Sequence, residues 1–294
     1  MRIKTVQSWL QVLPTWALLG VFLVVPLVVL LKFSFQPADD TGDPAPVEDV
    51  RAHIRSGEYL DNYRAAFDKL ALTTYWRSLW VAGATTAICL IVSYPAAYYI
   101  ARVARPRWRN ALLVAVAVPF WTSFVIRTSA WKLILGTGGP IDLTAKAFGG
   151  AGFDILSTPT AVLIALVYGE LPFMILPLYA SLEKLDNHLL EAAADLGASA
   201  WRTFWRVTVP LTAPGIVAGV ILVFIPSVGQ YVVSDLMSGG KIWLSGNLID
   251  SYFIGEAHNA PQGAAVSFVL MSLVLMMLML YAFYARRGAR EELA

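Results

Sequence analysis

Hydrophobic residues along this chain gather into long unbroken runs instead of alternating with polar ones. Six runs reach the length a bilayer demands, since its apolar core is about 30 Å thick and takes roughly 20 helical residues to cross. They cover residues 13–34, 78–100, 111–135, 160–182, 214–236 and 264–285. The pattern predicts an all-α membrane protein with six transmembrane helices, because a backbone in lipid must satisfy its own hydrogen bonds. Arg127 and Glu170 interrupt the third and fourth runs, and Pro119 and Pro226 the third and fifth. Neighbouring helices are expected to meet the needs these residues create. The first run follows Arg2 and Lys4 as a signal peptide would, yet it is too long and lacks a small-x-small cleavage site, so it is expected to be retained.

Composition agrees with the pattern. Of 294 residues, 57% are hydrophobic and 14% charged, whereas a soluble domain carries about 25% charged residues. Mean hydropathy is +0.62.

Basic residues then orient the runs. Arg2 and Lys4, the group Arg102, Arg105, Arg107 and Arg109, and the tail Arg286, Arg287 and Arg290 all fall on one side. Positive charge stays cytoplasmic, which puts both termini (1–12 and 286–294) and the 183–213 connection in the cytoplasm. The opposite connection, residues 35–77, is external. It carries eight acids between Gln36 and Trp76 against four bases. Two readings fit it: a docking surface, or a solvated connection with a short amphipathic helix around Tyr59 to Leu72.

Catalytic chemistry finds no foothold. The single cysteine, Cys89, lies inside the second run, which leaves no intrachain disulfide and no thiolate cluster. His53, His188 and His258 have no metal-ligand spacing. Gly136, Gly138 and Gly139 are not followed by the Lys-Ser/Thr of a phosphate-cradling loop. Neither a Ser/His/Asp arrangement nor an inverted repeat is evident. The expectation is therefore a chain with no catalytic residues, metal or cofactor of its own.

The stretch EAAADLGASAWRTFWRVTVP, residues 191–210, stands apart because it is charged and thin between two hydrophobic runs. Leu185, Leu189, Ala192 and Leu196 recur on one helical stripe. Gly197 is placed to stop that helix, Ser199 to cap the next, and Pro210 to end it, so coupling helices are expected over 185–209. Glu191 and Asp195 are like charges one turn apart, which costs a few tenths of a kcal/mol in isolation and calls for a cationic partner. Ala192, Ala193 and Ala194 keep one face slim enough for a groove on another protein. A helix lying on the membrane surface is the alternative; it would favour Lys and Arg on the polar face, and here the first helix is acidic while Arg202 and Arg206 follow on the second.

These residues also resemble the EAA motif of ABC importer membrane subunits. That motif places Glu-Ala-Ala, three residues, Gly, nine residues and Ile-x-Leu-Pro in order. This sequence has Glu191-Ala192-Ala193, Gly197 and Val207-Thr208-Val209-Pro210, with aliphatic substitutions at Val207 and Val209. PFWTSFVIRTSAW (119–131), LPFMILPLYASLEKLD (171–186), PLTAPGIVAG (210–219) and VVSDLMSGGK (232–241) look like the B-type permease family of spermidine/putrescine ABC importers. The likeness covers residues 75–285. It implies the type I ABC importer permease fold in a bacterial inner membrane. Implied partners are a second permease subunit, a cytoplasmic ATPase dimer that binds ATP and Mg, and an external binding protein, with no nucleic acid.

Under that resemblance Glu191, Ala192, Ala193, Asp195, Leu196 and Gly197 would couple to the ATPase. Related permeases serve opines, phosphonates or metal ions, so the solute stays open, and an autonomous secondary transporter or channel is the rival class. Intramembrane charge is functional by default. Carboxylates and aromatic faces suit a polycation, which makes Trp121, Tyr168, Glu170, Tyr231 and Asp235 candidates for the substrate pathway, together with Arg127. Two competing expectations are that Arg127 and Glu170 pair only to hold the bundle, and that Trp121 and Tyr231 only pack or anchor at the interface.

Overall fold

A computed structural model describes residues 14–47, 55–148, 155–255 and 257–291, without the side chains of 282–291. The expected cytoplasmic N-terminus with Arg2 and Lys4, His53 and the side chains of the tail arginines lie outside that description. Among the described residues the protein is helical, with one isolated bridge between Ala38 and Pro44.

Four helices are long and apolar enough to cross a membrane unaided: α1 (Pro14–Ser34), α3 (Lys69–Val103), α7 (Pro159–Glu183) and the Ala260–Tyr281 part of α13 (Ala260–Glu291). The short α2 (Asp61–Ala65) precedes α3. A count of six is reached only if each of two bent helix pairs is one crossing. The third hydrophobic run does not form one straight span: Pro106–Trp121 and Phe124–Ala147 meet at 94°. Pro119 sits in a tight turn, Val118–Trp121, where it withdraws a donor from the helical ladder, and Thr122 and Ser123 turn extended before α5 (Phe124–Leu135) starts. The helix before that break is α4 (Pro106–Ala117), and a small helix α6 (Pro140–Ala147) follows α5.

The fifth run also divides. α10 (Ala213–Val228) ends at Gly229, and Val232–Ser238 forms a separate helix, α11. Glycine is a poor helix former, which the hydrophobicity of the run concealed. Pro226 sits inside α10 without ending it. A last short helix, α12 (Ser245–Phe253), precedes α13.

Two of the prolines inside helices follow a widened turn. Pro26 follows a widened π turn at Gly20–Val24, and Pro210 follows one at Phe204–Thr208. In each case the carbonyl four residues earlier, which a proline cannot bond, falls within the widened turn. Pro210 lies one residue before its helix ends at Leu211, close to the end expected from the sequence.

The chain divides into two compact units. In the unit made of residues up to Thr73 and from Leu248 onward, α13 packs against α1 and α2. Ser34 Oγ shares a 2.8 Å hydrogen bond with Tyr63 OH, and Asn62 Nδ2 donates to the carbonyls of Ser34 and Gln36. The amphipathic helix expected around Tyr59 to Leu72 is instead a turn, α2 and the first residues of α3.

The Thr74–Asn247 unit is built around α7. α10 lies closely along it, because Gly215 and Gly219 present no side chain there. A Cβ on Gly215 would come 2.7 Å from the Pro177 carbonyl oxygen, and one on Gly219 would come 2.6 Å from Met174 Sδ. Small residues four apart are how membrane helices approach closely without a hydrophobic driving force between them. Cys89, Met174, Leu178, Leu182 and Val223 fill one core, and Leu135, Val162, Leu166, Val233, Met237 and Leu244 another.

Candidate functional site

The stretch singled out by its charge folds as an elbow of two short helices. Asp186 Oδ1 accepts from the His188 amide at 3.0 Å and caps α8 (Asn187–Asp195). α8 stops at Gly197, whose φ is +78°, a conformation that costs an L-residue with a side chain about 1–2 kcal/mol. The amides of Gly197 and Ala198 return to the carbonyls of Ala194 and Ala193, at 2.8 and 3.0 Å. These two bonds make a Schellman closure, which satisfies carbonyls that a helix end would otherwise orphan. Ser199 Oγ then accepts from the Arg202 amide and starts α9 (Ala200–Leu211), which bends by 66° into α10. The elbow therefore runs from Asn187 to Leu211, two residues later at each end than expected.

Its outer face has no cover among the described residues. Glu191, Ala192, Asp195, Leu196 and Gly197 are exposed and Ala193 half-buried. Leu196 is 89% exposed, and Leu189 is also exposed. Of the expected apolar stripe, only Leu185 is buried. His188 Nδ1 lies 3.3 Å from Glu191 Oε2, while Asp195 has no ion pair among the described residues.

The inner side of the elbow is bonded to the bundle. Arg102, in the last turn of α3, donates from Nη1 to the Leu185 carbonyl at 2.9 Å. Arg109 in α4 reaches Glu183 Oε1 at 3.3 Å and the Ala101 carbonyl at 2.8 Å, and Tyr179 OH donates to the same Glu183 oxygen. Phe204 in α9 stands edge-on to Tyr94 of α3 and within the Trp201 and Trp205 cluster. Tyr94 OH and Thr212 Oγ1 share a 2.8 Å hydrogen bond at the bend into α10. Sequence reasoning read Arg102 and Arg109 only as orienting charges; their partners include backbone carbonyls, which leave no trace in a sequence.

The intramembrane candidates are distributed over several helices. Glu170 is 5% exposed inside α7, and its Oε2 has no hydrogen-bond partner among the described residues. The expected pairing with Arg127 is not made: the guanidinium donates to the Pro119 carbonyl at 2.7 Å and lies 5.9 Å from the Phe124 ring centroid. The Val118–Trp121 turn presents the Pro119 carbonyl, which also accepts from the Thr122 amide at 3.3 Å and from Thr122 Oγ1 at 2.9 Å, within reach of the guanidinium. Tyr168 packs edge-on to Trp131 at 5.3 Å. Tyr231 and Asp235 are exposed, and Trp121, at the break, is 81% exposed. The helices carrying Arg127, Glu170 and Asp235, namely α5, α7 and α11, pack on one another. Trp121 lies outside those three helices.

A family described as the binding-protein-dependent transport system inner membrane component matches residues 93–289. The chain is 41% identical to the spermidine/putrescine transport system permease protein PotB of Haemophilus influenzae over 266 residues, 90% of this chain and 88% of that one. It is 40% identical to PotB of Escherichia coli over 268 residues, 90% of this chain and 92% of the relative. Among solved structures, a chain of a bacterial ABC transporter involved in the import of the acidic polysaccharide alginate superposes with a TM-score of 0.74 at 17% identity, covering 98% of this chain and 99% of that one. That likeness speaks to fold alone, and it is the fold of an ABC importer permease.

Proposed function

The chain belongs to the family of binding-protein-dependent transport system inner membrane components, and on that premise we propose that it is the permease subunit of an ATP-driven importer of polyamines such as spermidine and putrescine. It is a multi-pass inner-membrane protein. The polyamine reading is supported by its 40–41% identity to PotB permeases along nine-tenths of its length. In this reading each bent pair is one crossing, giving six spans with both termini in the cytoplasm, and the elbow lies on the cytoplasmic side. A second permease subunit completes the pathway, a separate ATPase dimer binds ATP and Mg, and an external binding protein delivers the solute. This chain catalyses nothing itself.

The observation that carries the coupling role is the pairing of an uncovered outer face with a bonded inner side. Glu191, Ala192, Ala193, Asp195, Leu196 and Gly197 face a cleft of the ATPase in this reading. ATP acts as a ligand favouring one of two states. When the ATPase subunits close, α8 moves with them, and the Arg102 and Arg109 bonds carry that displacement to α3, α4 and α7. The spans then expose the pathway to one side or the other.

Glu170 supplies the charge a polycation would meet, with Tyr168 and Asp235 on the same or an adjoining helix. Arg127, held by the Pro119 carbonyl, sits nearby as a fixed positive charge that limits how many cations the passage holds. Trp121 and Tyr231 are assigned to the membrane interface or the partner surface. The test is uptake of labelled spermidine into vesicles containing the whole assembly. Uptake that needs both ATP and the binding protein supports the reading; uptake by this chain alone, driven by an ion gradient, contradicts it.

A further inference from the structure

Within the Thr74–Asn247 unit, where the first third of α3 meets the N-terminus of α7, lies a cavity of about 340 Å³. Arg77, Trp80, Val81, Ser157, Val162 and Lys241 are among its lining residues, and none of the lining residues is acidic. Arg77 and Lys241 both border it, yet neither forms an ion pair among the described residues. Arg77 Nη1 makes one long bond, 3.4 Å, to the Trp243 carbonyl. Two like charges around one cavity repel, and the arrangement is eased by an anion between them. The N-terminus of α7, a 25-residue helix, adds the positive end of its dipole to the same place.

The remaining walls decide which anion. The Trp80 ring, Pro159 and Ile242 are apolar and accessible, so they favour a ligand that carries hydrocarbon beside its charge. Trp76 and Trp80, one turn apart on α3, are 71% and 56% exposed. Tryptophans exposed on a membrane helix mark the level of the lipid headgroups. Ser157 is held in a left-handed conformation, φ +64°, with its amide bonded to the Met237 carbonyl at 2.9 Å. Non-glycine residues in that region store strain that tends to gather at ligand sites.

We propose that this cavity binds the phosphate of an anionic phospholipid, clamped between Arg77 and Lys241, with an acyl chain running along Trp80, Pro159 and Ile242. The bound lipid would hold the α3 and α7 ends and the loop after α11 together. The site is separate from the elbow and from the Glu170 region, and it does not depend on which solute is carried.

The experiment is native mass spectrometry of the purified assembly after exchange into vesicles of phosphatidylglycerol, phosphatidylethanolamine or phosphatidylcholine. The wild type should retain phosphatidylglycerol in preference to the other two. Arg77→Gln and Lys241→Gln should each lower that retention about fivefold, and Arg77→Lys should keep most of it. Excess inorganic phosphate should leave the lipid in place. Lys241 lies in an exposed loop, so Lys241→Gln reads the site even where an Arg77 variant fails to assemble. Equal retention of the three lipids, unchanged retention in Lys241→Gln, or displacement by inorganic phosphate would each overturn the proposal, the last by marking a site for a soluble anion.

Discussion

Arg102 Nη1 donates to the Leu185 carbonyl at 2.9 Å, which ties the last turn of α3 to the residue leading into α8. A carbonyl at that junction cannot move without loading a membrane-spanning helix. Arg102→Gln should therefore weaken transmission more than folding. A hydrogen bond from a charged donor contributes about 1.5–3 kcal/mol, so transport per ATP hydrolysed should fall about tenfold while the assembly still forms. Parallel assays of hydrolysis and uptake check this, and an unchanged ratio would remove Arg102 from the coupling path.

Gly197 offers a conformational test of the elbow. Its φ of +78° excludes most side chains, yet nothing lies within 4 Å of where a Cβ would stand. Space is therefore not the constraint. Asn tolerates the left-handed region and β-branched residues do not. Gly197→Asn should transport near the wild-type rate, and Gly197→Val and Gly197→Trp should lose most uptake at normal expression. Equal uptake by all three would show that the Schellman closure is dispensable.

Contact between α7 and α10 predicts a contrast between two alanine substitutions. Gly215→Ala drives a methyl into the Pro177 carbonyl and Ser181, and overpacking of this kind costs about 1–3 kcal/mol. Gly83→Ala meets nothing within 4 Å and should be neutral or slightly stabilising, since alanine is the better helix former. Thermal unfolding of the solubilised protein should show a lowered midpoint only for Gly215→Ala.

Much of this was legible in the sequence, and the exceptions share a cause. Runs of apolar residues located the helices because lipid forbids other spanning structures. Gly197 and Ser199 announced the elbow because backbone geometry at helix ends restricts residue choice. By contrast, hydropathy averaged across Pro119 and Gly229 and merged helices that the backbone separates. Arg127 and Glu170 form no ion pair among the described residues because the guanidinium is held at the Pro119 carbonyl instead, and Arg102 was missed because its partner is a carbonyl 83 positions away.

Glu170 is buried with an unpartnered carboxylate oxygen, which costs folding free energy unless the group serves a ligand. Glu170→Gln keeps the shape and removes the charge. Stability of the assembly should hold or rise slightly, and the KM for spermidine should increase about tenfold, as expected when a charged partner is lost. Unaltered KM and rate would return Glu170 to a structural role.

The central claim is that the exposed face of α8 rests in a motor protein. Cys89 is buried and is the only cysteine, so Leu196→Cys in a Cys89→Ser background places a single accessible thiol on that face. With a short bifunctional reagent, this thiol should cross-link to the ATPase subunit in good yield, and the yield should change when ATP is added. Labelling of that thiol by lipid-phase reagents, with no cross-link to an ATPase present in the same membranes, would contradict the account.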